Sequence, residues 1–174
     1  MRLILTTKSN LMLGIIVTAA VVLLTTTTIP IAMAQPTGCG DVLATILGTS
    51  GNDNIAGTPR RDVIQAFGGD DTIAGLAGND LICGGDGNDT ISGGTDNDVV
   101  VGNAGNDLID GGSGNDALAG REGDDQINGG SGNDRLLGEL DNDILTGSSG
   151  TDTADGGAGT NDTCDAETET NCEA

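Results

Sequence analysis

Residues 111–120 read GGSGNDALAG, and residues 129–138 read GGSGNDRLLG. The two stretches lie 18 residues apart, and the nine residues from Gly120 to Asn128 keep the same grammar in looser form (GREGDDQIN). Working outward, a period of nine holds without a gap from Gly48 to Asp155, which makes twelve units. Position six is Asp in all of them: Asp53, Asp62, Asp71, Asp80, Asp89, Asp98, Asp107, Asp116, Asp125, Asp134, Asp143 and Asp152. Position eight is aliphatic in all of them, from Ile55 through Val100 to Ala154. Position one is Gly except at Ala66, and position four is Gly except at Arg60, Asp96 and Asp141. The composition taken alone, acidic and poor in aromatics, is that of a disordered chain. Disorder has no use for side chains held in phase, and phase is what this sequence keeps.

Each position has a physical meaning. Glycines at one and four open backbone angles that a Cβ forbids, so the first six residues turn tightly. Asn at position five, as at Asn79 and Asn115, tolerates left-handed geometry. The last three residues suit a short strand, along which side chains alternate. Position eight is never polar and points inward. Positions seven and nine are mixed and often polar (Asn54, Gln65, Gln126, Asn128) and point outward. A turn of six and a strand of three predict an all-β, parallel β-roll solenoid. Two units make one revolution, so twelve units make about six two-strand coils. Odd and even units stack on opposite sides. Asp71, Asp89 and Asp107 then share one column, and Asp80, Asp98 and Asp116 the other.

Carboxylates stacked at strand spacing repel, and a divalent cation between turns reverses that sign. Calcium fits, since it accepts six to eight carboxylate and carbonyl oxygens in flexible geometry. Zinc wants His or Cys, and the chain has no His and no CxxC. Magnesium gives up its water reluctantly. The units resemble the RTX (repeats-in-toxin, haemolysin-type) nonapeptide, Gly-Gly-x-Gly-x-Asp-x-aliphatic-x, over residues 48–155. The resemblance implies calcium between successive turns, with the position-six Asp residues supplying carboxylate oxygens and turn residues supplying carbonyls. About eight to ten ions are expected. Pro59, Arg60 and Arg61 crowd the second turn, so Asp62 is the doubtful ligand. Asp96 and Asp141 either add a ligand or distort their turns. The sequence departs from the family in its N-terminal signal, its four cysteines and its lack of an upstream toxin domain, so no toxin activity is carried over.

Six Lys and Arg face 27 Asp and Glu, and Phe67 is the sole aromatic residue. That balance repels phosphate and excludes nucleic acid as a partner. Arg2 and Lys8 flank the start, Leu11 to Leu24 is an apolar run, and Ala32-Met33-Ala34 has the small-x-small form of a cleavage site. Residues 1–34 therefore read as a cleaved signal peptide, with Gln35 first in the mature chain. No membrane span is expected after cleavage, and the protein is expected to be secreted or at the cell surface. The mature chain keeps 4 basic residues against 27 acidic ones, a net charge of −23.

Residues 35–47 read as an N-terminal cap and 156–174 as a C-terminal cap, in which Asp162 falls one residue out of phase. An even set of cysteines in an exported chain favours disulfides. The close pair in the tail predicts Cys164–Cys172 and leaves Cys39–Cys83. No His remains anywhere and no Lys in the mature chain, and the repeat already accounts for nearly every Asp, so no enzyme is expected. The expected role is structural, or interaction at a surface or matrix. The alternative is an adhesion module for a polysaccharide, matrix protein or mineral face.

Overall fold

The computed structural model describes residues 42–173, all within one compact unit spanning 34–174. Fifteen strands follow one another with no helix among the described residues. They are β1 (Ile46–Leu47), β2 (Asn54–Ala56), β3 (Val63–Gly68), β4 (Thr72–Ala77), β5 (Leu81–Asp86), β6 (Thr90–Thr95), β7 (Val99–Ala104) and β8 (Leu108–Ser113). The series continues with β9 (Ala117–Glu122), β10 (Gln126–Ser131), β11 (Arg135–Leu140), β12 (Ile144–Ser149), β13 (Thr153–Ala158), β14 (Thr163–Asp165) and β15 (Thr168–Thr170). Odd strands form one eight-stranded sheet and even strands a seven-stranded one. Every pairing between strands is parallel and joins residues one coil apart, Ile91 with Ile109 and Ile109 with Ile127.

The roll has about seven turns rather than six. β1 adds a rung before the first unit, and β14 and β15 add rungs after the last. The central strands are also six residues long, not three. They run through positions seven to nine and on through one to three of the next unit. The pairing register skips position one: Asn128 pairs with Asp110 and Gly130 with Gly112, while Gly129 and Gly111 form an unpaired corner. The left-handed residues stand at positions two and four, not at one and four. Leu76 has φ 80°, Arg121 95° and Gly132 137°. Position one keeps its glycine for a different reason, the closeness of neighbouring atoms. No position-five Asn is left-handed. Asp96 and Asp141 take φ 78° and 72°, so they follow the turn rather than distort it.

Position eight is the interior, as its uniform apolarity requires. Ile55, Ile64, Ile73, Ile82, Ile91 and their successors to Ala154 form one continuous buried column, joined by Ala66. Burying each such side chain contributes about 1.5–3 kcal/mol. Cys164 and Cys172 form a disulfide with Cα atoms 5.8 Å apart, and it ties the last rungs together. Cys83 is not a free thiol. Its expected partner Cys39 lies outside the described residues, as do residues 1–34, read as a signal peptide.

Candidate metal centre

The short turn at positions four to six carries every position-six Asp to the edge between the two sheets. Eleven of the twelve are buried there, from Asp62 to Asp152, and Asp53 is half-buried. From Asp53 to Asp143, each backbone N–H donates to the Oδ1 of the Asp one coil later. The bond is 2.8 Å from Asp71 to Asp89, 2.8 Å from Asp98 to Asp116 and 2.9 Å from Asp125 to Asp143. Each Asp carbonyl accepts from position seven of the next coil, for example from Thr90 N–H to Asp71. The backbone and one carboxylate oxygen of every rung are thus spent on holding turn to turn.

The other carboxylate oxygen is not. Oδ2 of Asp71, Asp80, Asp89, Asp98, Asp107 and Asp116 is buried with no hydrogen-bond partner, and so is that of Asp125, Asp134, Asp143, Asp152 and Asp162. Buried polar atoms are nearly always satisfied, and leaving one bare costs about 1–3 kcal/mol, more for a charge. The glycine at position one explains how that oxygen stays accessible to a small ion. A Cβ added at Gly111 would stand 2.6 Å from Asp116 Oδ2 and 2.6 Å from the Gly129 carbonyl oxygen. Carboxylate and carbonyl therefore open onto one space that a methyl group would fill. The two nearest atoms are both oxygens, carboxylate and carbonyl, the donor types of a hard cation. Among the described residues no three acidic or sulfur side chains converge. An ion held here would draw on few carboxylates and would need carbonyls to complete its shell.

The carboxyl groups respond to this burial. Asp89, Asp116 and Asp143 are pushed up to about 6, Asp98 and Asp107 to about 7, and Asp125 to about 8. Desolvation is the first cause in each. The N–H bond from the preceding rung opposes it, and like charges on neighbouring rungs add to it, as Asp107 and Asp143 do for Asp125.

The column differs at its ends. Asp53 Oδ2 accepts from Thr49 N–H at 2.6 Å and Thr49 Oγ1 at 2.9 Å. Asp62 Oδ2 accepts from Thr58 in the same way, at 2.7 and 2.9 Å. Burial would raise the Asp62 carboxyl, but donors from Thr58 and Thr45 outweigh it and hold it low. Thr58 thus occupies the outer oxygen of Asp62, the ligand made doubtful in the sequence by Pro59, Arg60 and Arg61. Asp162, expected out of phase, sits in the column: its Oδ1 accepts from Asp143 N–H at 2.9 Å, 19 residues away. The extra residue is absorbed in the preceding turn. Two further carboxylates carry the ladder on, Glu167 Oε2 accepting from Asp152 N–H and Glu173 Oε2 from Asp162 N–H. No spacing in the sequence marks them. Position five carries a second ladder, in the opposite sense. Asn115 N–H donates to Asn97 Oδ1 and Asn133 N–H to Asn115 Oδ1, both at 2.7 Å.

The family model of the RTX calcium-binding nonapeptide repeat matches the chain in four copies, at residues 47–82, 84–118, 110–145 and 129–163. No curated protein matches.

Proposed function

The chain belongs to the RTX calcium-binding nonapeptide repeat family, and from that premise we propose that it is an exported calcium-binding protein whose roll is completed by the ions it holds. One observation carries the reading: two columns of buried carboxylate oxygens, each without a partner, and at Asp80, Asp89, Asp98, Asp107, Asp116, Asp134, Asp143 and Asp162 beside a carbonyl across a position-one glycine corner. Asp71, Asp80, Asp89, Asp98, Asp107, Asp116, Asp125, Asp134, Asp143 and Asp152 would hold calcium, with Asp162 added to the set. Calcium supplies the positive charge that lets these carboxylates stay ionised while buried. The chain itself supplies the spacing, the Oδ1 bonds that fix each carboxylate's orientation, and the glycine corner.

Asp53 and Asp62 serve as closed first rungs, their outer oxygens taken by threonine. The role is structural, at a surface or in a matrix, and not enzymatic. Residues 1–34 direct export, and the affinity is weak enough to be filled only where calcium is abundant. Calorimetric titration of the chain beginning at Gln35 is expected to give about eight to ten ions. No uptake at millimolar calcium would overturn the reading. Sequencing the exported protein is expected to find Gln35 first.

A further inference from the structure

The period of nine ends at Asp155, yet the roll runs on into a tail that belongs to no repeat. β14 and β15 pair with β12 and β13. Ala166 and Glu167 therefore cross from one sheet to the other in two residues, where the turn one coil earlier takes Gly150, Thr151 and Asp152. The crossing stacks on that turn, and Asp152 N–H donates to Glu167 Oε2 at 2.8 Å. At this joint lies a cavity of about 160 Å³, lined by Ser148, Asp152, Asp165, Ala166 and Glu167. Three carboxylates border it. Asp152 is 1% exposed, and its Oδ2 is buried without a hydrogen-bond partner. Glycine at position 147 leaves that oxygen open, since a Cβ there would stand 2.6 Å from it. Asp165 and Glu167 are exposed. Glu167 spends one oxygen on the Asp152 N–H, as each repeat Asp spends Oδ1, which leaves Oε1 for another partner. Both residues lie within the loop that the Cys164–Cys172 bond closes.

Resting on the calcium reading above, we infer that this joint is a further calcium site, built outside the repeats from Asp152, Asp165 and Glu167 and fastened by the Cys164–Cys172 disulfide. Asp152 Oδ2 is the inner ligand. Asp165 and Glu167 supply the outer side, in place of the turn that another repeat would bring. The three carboxylates do not converge on one point, so the ion keeps part of its water. Calcium tolerates this, because it accepts six to eight oxygens in flexible geometry. Zinc finds no nitrogen or thiolate, since the loop's two sulfurs are bonded to each other. The end of a solenoid has a neighbour on one side only and must be capped. An ion at the joint pins the tail to the last rung, so calcium orders the cap as well as the repeats. The disulfide limits how far the two outer ligands can move away when the ion leaves.

Calcium counted by equilibrium dialysis, together with hydrogen exchange in saturating calcium, tests the inference on the full chain. Glu167→Gln keeps an oxygen for the Asp152 N–H, so the hydrogen-bonded cap survives while the charged ligand is lost. That variant and Asp165→Asn are each expected to quicken exchange in residues 163–171 several-fold, while β6 and β8 keep their protection. The double variant is expected to bind one ion fewer. Glu169→Gln is the control: it removes the same charge from the same loop, keeps an oxygen for the Ala166 N–H and does not border the cavity. It is expected to change neither readout. Replacing both Cys164 and Cys172 by Ser is expected to weaken the same ion several-fold, and unchanged affinity would overturn the fastening. Full stoichiometry in the double carboxylate variant overturns this site and leaves the repeat sites standing. Equal quickening in Glu169→Gln overturns it too, by assigning the effect to charge alone. No uptake by the unsubstituted chain would overturn the calcium reading and this site with it.

Discussion

At the scale of the residue, the repeat spends glycine on two unlike needs, and one of them can be tested within a single repeat position. Gly51 and Gly132 both occupy position four. A Cβ on Gly51 meets nothing within 4 Å, and no described turn lies beneath the first unit. Gly132 has φ 137°, and a Cβ there would run into the backbone of Gly114 one coil below. Gly132→Ala is expected to cost about 1–3 kcal/mol, and Gly51→Ala close to nothing, both read from urea melts in calcium. Equal losses would mean that the glycines serve chain composition rather than contact.

The carboxylates make a second residue-level prediction. Six of them have folded-state values near 6 to 8 against an ordinary 3.8. Without metal the folded chain therefore binds protons more tightly than the unfolded one. That stability is fully present below pH 3.8 and is lost as pH rises through about 6 to 8. Calcium reverses the slope, since it binds the ionised form and acid then displaces it. Stability at pH 5 and pH 8, read from urea melts in calcium and, in chelator, from a urea melt at pH 5 and the strand signal left at pH 8, is expected to rank oppositely in the two media. Asp107→Asn keeps an Oδ1 acceptor for the Asp89 N–H. It is expected to lessen the metal-free pH dependence while lowering the calcium stoichiometry. Parallel slopes in the two media would remove the carboxylates from the account.

At the scale of the element, position eight and position six were legible because they repeat without exception, one as the core and one as the rung. The second half of each strand was not, since positions one to three read as turn: they hold glycines, and a left-handed residue bends the strand there. Asp162 was misread because counting by nine fails at one extra residue, whereas a turn absorbs it and the hydrogen bonds resume. Glu167 and Glu173 stand 15 and 11 residues from the rungs they cap. A longer side chain reaches the same donor from a different spacing, and periodicity cannot show that. The last rung is thus a real element, and Asp162→Ala should show it. The variant strands the buried Asp143 N–H, at a cost of about 1–3 kcal/mol. Hydrogen exchange is expected to quicken along β12 and β14 while β6 and β8 keep their protection. Even loss of protection through the whole roll would mean that the end is not a separable rung.

At the scale of the whole molecule, a solenoid's stability is a sum of rung and neighbour terms, and here one term recurs with an unfavourable sign until a cation changes it. The chain's net charge of −21 adds long-range repulsion to the local cost of each bare Oδ2. The two costs respond differently to salt. At about 1 M the screening length falls to about 3 Å, which removes repulsion between distant rungs but places nothing against a buried oxygen. Magnesium carries the same charge as calcium, yet it prefers six ligands at shorter distance and holds its water, so a site that offers scattered carbonyls suits it badly. At pH 8, chelator is therefore expected to abolish the strand signal in circular dichroism. Millimolar calcium is expected to restore it in one cooperative step, and neither 1 M sodium chloride nor millimolar magnesium should do so. Recovery in sodium chloride alone would show that general repulsion, not the unpartnered oxygens, keeps the metal-free chain unfolded, because screening is the only thing that salt supplies.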